Sequence, residues 1–194
     1  MLSEETLSKR LLLITGSPGV GKTTLLLKVV EGLTAKGYSV GGMISREVRT
    51  SGVRVGFEVT DLSSGYRGWL ASVHEERGPQ VGKYHVNIDD LNGIGVKAIL
   101  RACEKLDVVV VDEIGPMELF SEEFREAVMK VVEGEKLLVA TIHWKMSGEL
   151  IDSIKKREDS ETHVVTYENR EHLHEAIIGE AMDFLSKATL NKGL

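Results

Sequence analysis

An open α/β sheet, mostly parallel, with helices on both faces and a β-hairpin insertion, is the fold this sequence predicts. Three features of the chain point to it. Short apolar runs alternate with amphipathic stretches of helical period. One run, "DVVVVD", is apolar on both strand faces, as a central parallel strand requires. The stretch "GSPGVGKTT", Gly16 to Thr24, follows the apolar "LLLIT" and heads a helical pattern.

In chain order, Leu11–Thr15 reads as a short buried strand. Residues 22–36 form a helix with Leu25, Leu26, Val29, Val30 and Leu33 on one face, and Gly37 ends it. "YSVGGMISREVR" and "VRVGFEVTDL" are strands joined by the turn "TSG", hence an antiparallel pair, with Val53, Val55, Phe57 and Val59 in alternation. "YRGWLASV" and "KYHVNID" add two β segments, which places the insertion at about residues 40–90. Residues 92–106 are helical, with Ile94, Ala98, Ile99 and Ala102 inward. After the valine strand comes a helix over 121–133, with Ser121 as N-cap, Glu122 and Glu123 in the first turn and Gly134 at its end. "KLLVATIH" is a buried strand, 147–157 a helix and "THVVTY" the last strand. Asn169 caps a final helix reaching about residue 187. No internal repeat or linker interrupts this order, so all 194 residues are expected to form a single domain.

Composition narrows the class. Hydrophobic residues make up 42% and charged residues 28%, the mix of a globular chain. No apolar run approaches the roughly 20 residues needed to cross a bilayer, and "MLSEETLSKR" lacks the pattern of a secretion signal. The single cysteine, Cys103, forms no internal disulfide and reads as a small hydrophobe; a cytoplasmic setting fits it. A net charge of −6 argues against a broad nucleic-acid groove. One Gln beside abundant Glu, Lys and Arg leans toward a heat-adapted source. Trp69 and Trp144 read as packing residues.

The chemistry starts at the glycine-rich loop. Gly16, Gly21, Lys22 and Thr23 satisfy G-x-x-x-x-G-K-[ST]. Such a loop, here Gly16, Ser17, Pro18, Gly19, Val20, Gly21, Lys22, Thr23 and Thr24, aims backbone N–H groups at one polyphosphate, with the N-terminus of the following helix behind them. Side chains at Gly19 and Gly21 would obstruct that approach or forbid the backbone angles. Lys22 neutralises the terminal oxygens, and the Thr23 hydroxyl is a ligand for Mg²⁺. Asp112 ends the valine strand, where a carboxylate reaches the same Mg²⁺. Glu113 follows on the other strand face and is the candidate to polarise the attacking water. Thr141 and His143 leave the next core strand at the edge that faces ligands in open sheets, where they sense the terminal phosphate or hold water. Glu118 stands between a site role and an exposed loop acid. For charge on the departing phosphate the candidates are Arg46, at the end of the second strand, and Arg157 in "SIKKR". Arg170, after the last strand, is placed to contact a nucleobase. The expected ligands are nucleoside triphosphates with Mg²⁺, on a monomer or weak homo-oligomer without nucleic acid or membrane. Three readings stand at this point: a triphosphatase, a kinase acting on a nucleoside, nucleotide or RNA end, and a nucleotide-controlled binding or assembly module.

These residues also carry a family resemblance. "GSPGVGKTT", "VVVVDEIGPMEL", the "GGMISREVR…VRVGFEV" hairpin, "VGKYHVNI" and "VTYENR" resemble the small P-loop nucleoside-triphosphatases first described from thermophiles, whose vertebrate member is called cancer-related nucleoside-triphosphatase. The resemblance covers roughly residues 10–185. It implies a P-loop fold of the RecA-like, additional-strand type and slow, Mg²⁺-dependent hydrolysis of several NTPs, ATP and GTP among them, to NDP and phosphate. The family pattern after "DEIG" is "KMEL"; Pro116 stands here in place of that lysine. No Asn-Lys-x-Asp base code is present, so base preference is expected to be broad.

Overall fold

The computed structural model describes residues 8–145 and 147–191. Among the described residues nine strands form one sheet: β1 (Leu11–Thr15), β2 (Val40–Thr50), β3 (Val53–Asp61), β4 (Arg67–Ser72), β5 (Gln80–Val81), β6 (Tyr84–Val86), β7 (Val108–Ile114), β8 (Leu137–Ile142) and β9 (Ser160–Val164). Their order is β5-β6-β4-β3-β2-β7-β8-β1-β9. From β2 to β9 the pairings are parallel; from β2 outward to β5 they are antiparallel. The sheet is therefore mixed, and the hairpin insertion extends it instead of standing apart. β8 lies between the loop-bearing β1 and the acid-bearing β7, which is the additional strand that the resemblance implies.

Strand parity builds two apolar layers. Leu12, Ile14, Val110 and Val139 face α1 (Lys22–Ala35) and α6 (Leu173–Asn191), meeting Leu25, Leu26, Val29, Leu33 and Ile177. Leu11, Leu13, Val109, Val111 and Leu138 face the other way, onto α3 (Lys97–Lys105), α4 (Glu122–Glu133) and α5 (Glu149–Lys155) through Ile99, Phe124, Val128 and Ile151. Every one of these side chains is almost fully buried, each contributing about 1.5–3 kcal/mol. Ser121 caps α4 as expected, its Oγ accepting from Phe124 N. Arg10, also buried, closes the other end of that helix. Its guanidinium donates to the carbonyls of Val131 (3.0 Å), Val132 (2.6 Å) and Lys136 (2.9 Å), and it pairs with Asp159.

Several local expectations are corrected. The helical stretch expected from 92 begins earlier, at α2 (Ile88–Asp90), because the Asn87 side chain accepts from Asp90 N; a π-helical turn, Leu91–Val96, then leads into α3. Asn169 does not cap α6 with its side chain. Its Oδ1 accepts from Thr166 N and its Nδ2 donates to Val164 O, which closes the loop after β9. Val53, Trp69 and Trp144 are exposed, the tryptophans at 38% and 43%. Cys103 packs half-buried against the core, as expected.

Candidate active site

The parallel strands present their C-terminal ends along one edge, and β1, β7 and β8 each deliver part of the site there. After Thr15 the chain turns through the glycine-rich loop into α1. Gly19 and Gly21 hold φ of +77° and +108°, angles that other residues rarely adopt. A Cβ at either would meet no protein atom within 4 Å, so on the protein side it is the backbone angle that calls for glycine. Gly16 is needed for space: a Cβ there would lie 2.7 Å from Val165 O. Val20 is buried and pins the loop, while Ser17, Pro18 and Gly19 are exposed. Helix α1 has no side-chain cap, which leaves its first N–H groups open to an anion.

Lys22 lies across the loop mouth. Its Nζ donates to Gly16 O at 3.2 Å and stands 3.6 Å from Glu113 Oε2. Thr23 Oγ1 donates to Asp112 Oδ2 at 2.8 Å, and Thr141 Oγ1 donates to Asp112 Oδ1 at 2.5 Å. Thr24 points outward and is exposed. Asp112 is 1% exposed. Burial pushes its carboxyl up to about 6 and Glu113 adds to the rise, against the hydrogen bonds from Thr141 and Thr23. The expected parity of the two acids does not hold. The β7–β8 register slips between Val111 and Ile114, so Asp112 and Glu113 border the same cleft. Glu118 joins them there, buried in a 3-10 turn (Glu118–Phe120). Its carboxyl is pushed up to about 8, chiefly by desolvation and further by Glu113 and Asp112. Gly115 separates the two glutamates: a Cβ there would touch Glu113 Oε1 at 2.9 Å and Glu118 Oε2 at 3.0 Å.

The remaining candidates scatter. His143 is half-buried at the cleft, and its Nδ1 is buried without a hydrogen-bond partner. Thr141 is fully buried and holds Asp112, not a ligand. Arg46 is exposed and turned away from the cleft, because strand alternation aims its neighbours Ser45 and Glu47 into it. Arg157 pairs with Asp159 before β9, at the opposite edge of the parallel strands. Arg170 lies in the loop after β9, 5.2 Å over the exposed Tyr167 ring. The cleft itself, about 400 Å³, also takes Arg54, Phe57, Leu70 and Val81 from the β-rich insertion and Met117 from the turn before Glu118. Pro116 lines it as well, at the position where the resemblance expects lysine.

Thr23 and Asp112 offer two adjoining hard oxygens, one on a buried carboxylate whose neighbours are hydroxyls and another acid. Among the described residues no cluster of three or more His, Cys, Asp or Glu could cage a metal. That donor set fits Mg²⁺, which takes one or two carboxylates and fills its shell with water and phosphate oxygens.

Fold and site together define a P-loop protein of the additional-strand type. The sequence matches the NTPase family over residues 11–178, and the chain belongs to that family. It is 45% identical over 176 residues to nucleoside-triphosphatase THEP1 of Thermofilum pendens, covering 90% of this chain and 97% of that one. With the protein of the same name from Methanothermobacter thermautotrophicus it shares 46% over 173 residues, 89% and 97% of the two chains. Among solved structures, THEP1 from Aquifex aeolicus superposes with a TM-score of 0.76 at 33% identity, covering 86% of this chain and 95% of that one. A human cancer-related nucleoside triphosphatase gives 0.75 at 36%, covering 88% and 96%. No helix among the described residues is long and apolar enough to cross a membrane.

Proposed function

We propose that the chain is a nucleoside-triphosphatase that cleaves the terminal phosphate of NTPs with Mg²⁺ and with little regard for the base. The observation that carries this reading is the convergence of Lys22, Thr23, Asp112 and Glu113 at one loop mouth. The names of the relatives support it.

In this reading the loop N–H groups and the α1 N-terminus bind the polyphosphate, and Lys22 moves its charge from Gly16 O and Glu113 to the terminal oxygens. Mg²⁺, held by Thr23 Oγ1 and Asp112, would supply Lewis-acid charge neutralisation on the phosphates. Thr141 keeps Asp112 in register for that task. Glu113, released from Lys22, orients water and accepts its proton. His143 faces the same space with a free ring nitrogen and serves as a polar contact to phosphate or water. Arg170, stacked on Tyr167 beside the loop, is the candidate for loose base contact through a flat cationic surface. Incubating the protein with Mg²⁺ and each of several NTPs, with no acceptor, tests the reading. Free phosphate should appear with each, and Lys22→Ala should lower the rate by about 100-fold or more. Strict dependence on one base, or on an added acceptor, would overturn it.

A further inference from the structure

The cleft is larger than hydrolysis needs, and it extends in the wrong direction for a base. The loop after β9, with Tyr167 and Arg170, lies at one side of β1; the cleft runs the other way, over β7 and onto β2, β3 and β4. No residue of 165–173 lines it. The cleft of about 400 Å³ takes in the terminal-phosphate end at Gly19, Lys22, Thr23 and Asp112 and continues past it, while the attacking water needs only about 30 Å³. Beyond Glu113 it is lined by the apolar Phe57, Leu70, Val81 and Met117 beside Ser45, Glu47 and Glu118. At the far rim Arg54 is held open-handed across two rings. Its Nε donates to Tyr84 Oη at 2.9 Å and its Nη1 to Glu47 at 3.0 Å, while the guanidinium lies 5.3 Å from the Phe57 ring centroid and 5.6 Å from that of Tyr84. Arg49 pairs with the same Glu47, and Lys83 lies 5.4 Å over Tyr84. Two arginines thus share one carboxylate, and Lys83 stands over the ring that Arg54 also covers.

We infer that the far half of this cleft is a binding site for a second small molecule, a flat apolar or aromatic body bearing one anionic group. The body rests on Phe57, Leu70, Val81 and Met117, and the anion meets Arg54. The inference relies on the proposed function only in placing the nucleotide on the loop. Its occupant would sit on the terminal-phosphate side of the bound nucleotide, next to Glu113.

The probe 8-anilinonaphthalene-1-sulfonate has this chemistry, and its fluorescence can be titrated on the full chain. One saturable site is expected, retained when the loop is filled with Mg²⁺ and ADP. Arg54→Ala should weaken the probe about tenfold, the loss of a charged hydrogen bond, whereas Arg67→Ala, on an exposed residue outside the cleft, should not. Met117→Glu, which puts a like charge into the apolar wall, should abolish the probe with the circular dichroism spectrum unchanged. Absence of saturable binding, equal binding to the Arg54 variant, or expulsion of the probe by ADP would overturn the inference. Lys22→Ala separates the two claims: it should stop hydrolysis and leave the probe bound.

Discussion

Glu118→Gln gives a large and signed prediction, since this carboxyl is buried yet has no cation beside it. Its pKa rises from an ordinary 4.5 to about 8, through desolvation first and then through Glu113 and Asp112. The folded state therefore holds the proton more tightly than the unfolded chain does. Between 4.5 and about 8 the folded protein keeps a proton that the unfolded chain has lost, so stability is highest at the acid end and falls as pH rises. From pH 5 to pH 8 this single group removes about 4 kcal/mol, at about 1.36 kcal/mol per pH unit. Glutamine fills nearly the same volume and cannot ionise. Guanidinium unfolding of both proteins at pH 5 and pH 8 would measure the effect. The variant should gain about 4 kcal/mol on the wild type between the two pH values, and should still release phosphate, because Glu118 lies behind Gly115 and does not touch Lys22 or Thr23. Parallel stability–pH curves for the two proteins would show instead that Glu118 does not titrate differently on folding.

Three further outcomes follow from contacts already described. Thr141→Val leaves Asp112 Oδ1 without its donor and should raise the Mg²⁺ needed for half-maximal hydrolysis by about tenfold or more, read from a Mg²⁺ titration. Arg10→Ala strips the last carbonyls of α4 of their donor and should cost about 3 kcal/mol in guanidinium unfolding, with turnover of the folded fraction unchanged. Arg46→Ala should hydrolyse NTPs at the wild-type rate in a phosphate-release assay, since the residue faces away from the cleft.

How much of this was legible beforehand depends on the range of the interactions involved. The loop, α1 and the valine strand are written locally, in glycine spacing, helical period and a run apolar on both faces, and their structures follow the sequence closely. Asp112 was legible for the same reason. For Glu113 local alternation misleads, because a register slip against β8 breaks the parity that a lone strand suggests. Arg46 shows the reverse case: alternation holds, and one residue of parity sends Ser45 and Glu47 inward in its place. The glutamate at 118 was ambiguous because burial is a tertiary property, settled here by the turn that packs it behind Gly115. Arg54 and Phe57 carry no local signal for the site at all. They reach it only once β2, which carries the β3 hairpin, pairs with β7, a segment far away in the chain.

In this mechanism Glu113 readies solvent for attack on a nucleotide that is held without it. Glu113→Gln tests it most directly, with fluorescent-nucleotide binding and phosphate release measured on the same preparation. Binding should stay close to wild type and release should fall by about 100-fold or more. Wild-type release from that variant, or a loss confined to binding, would contradict it.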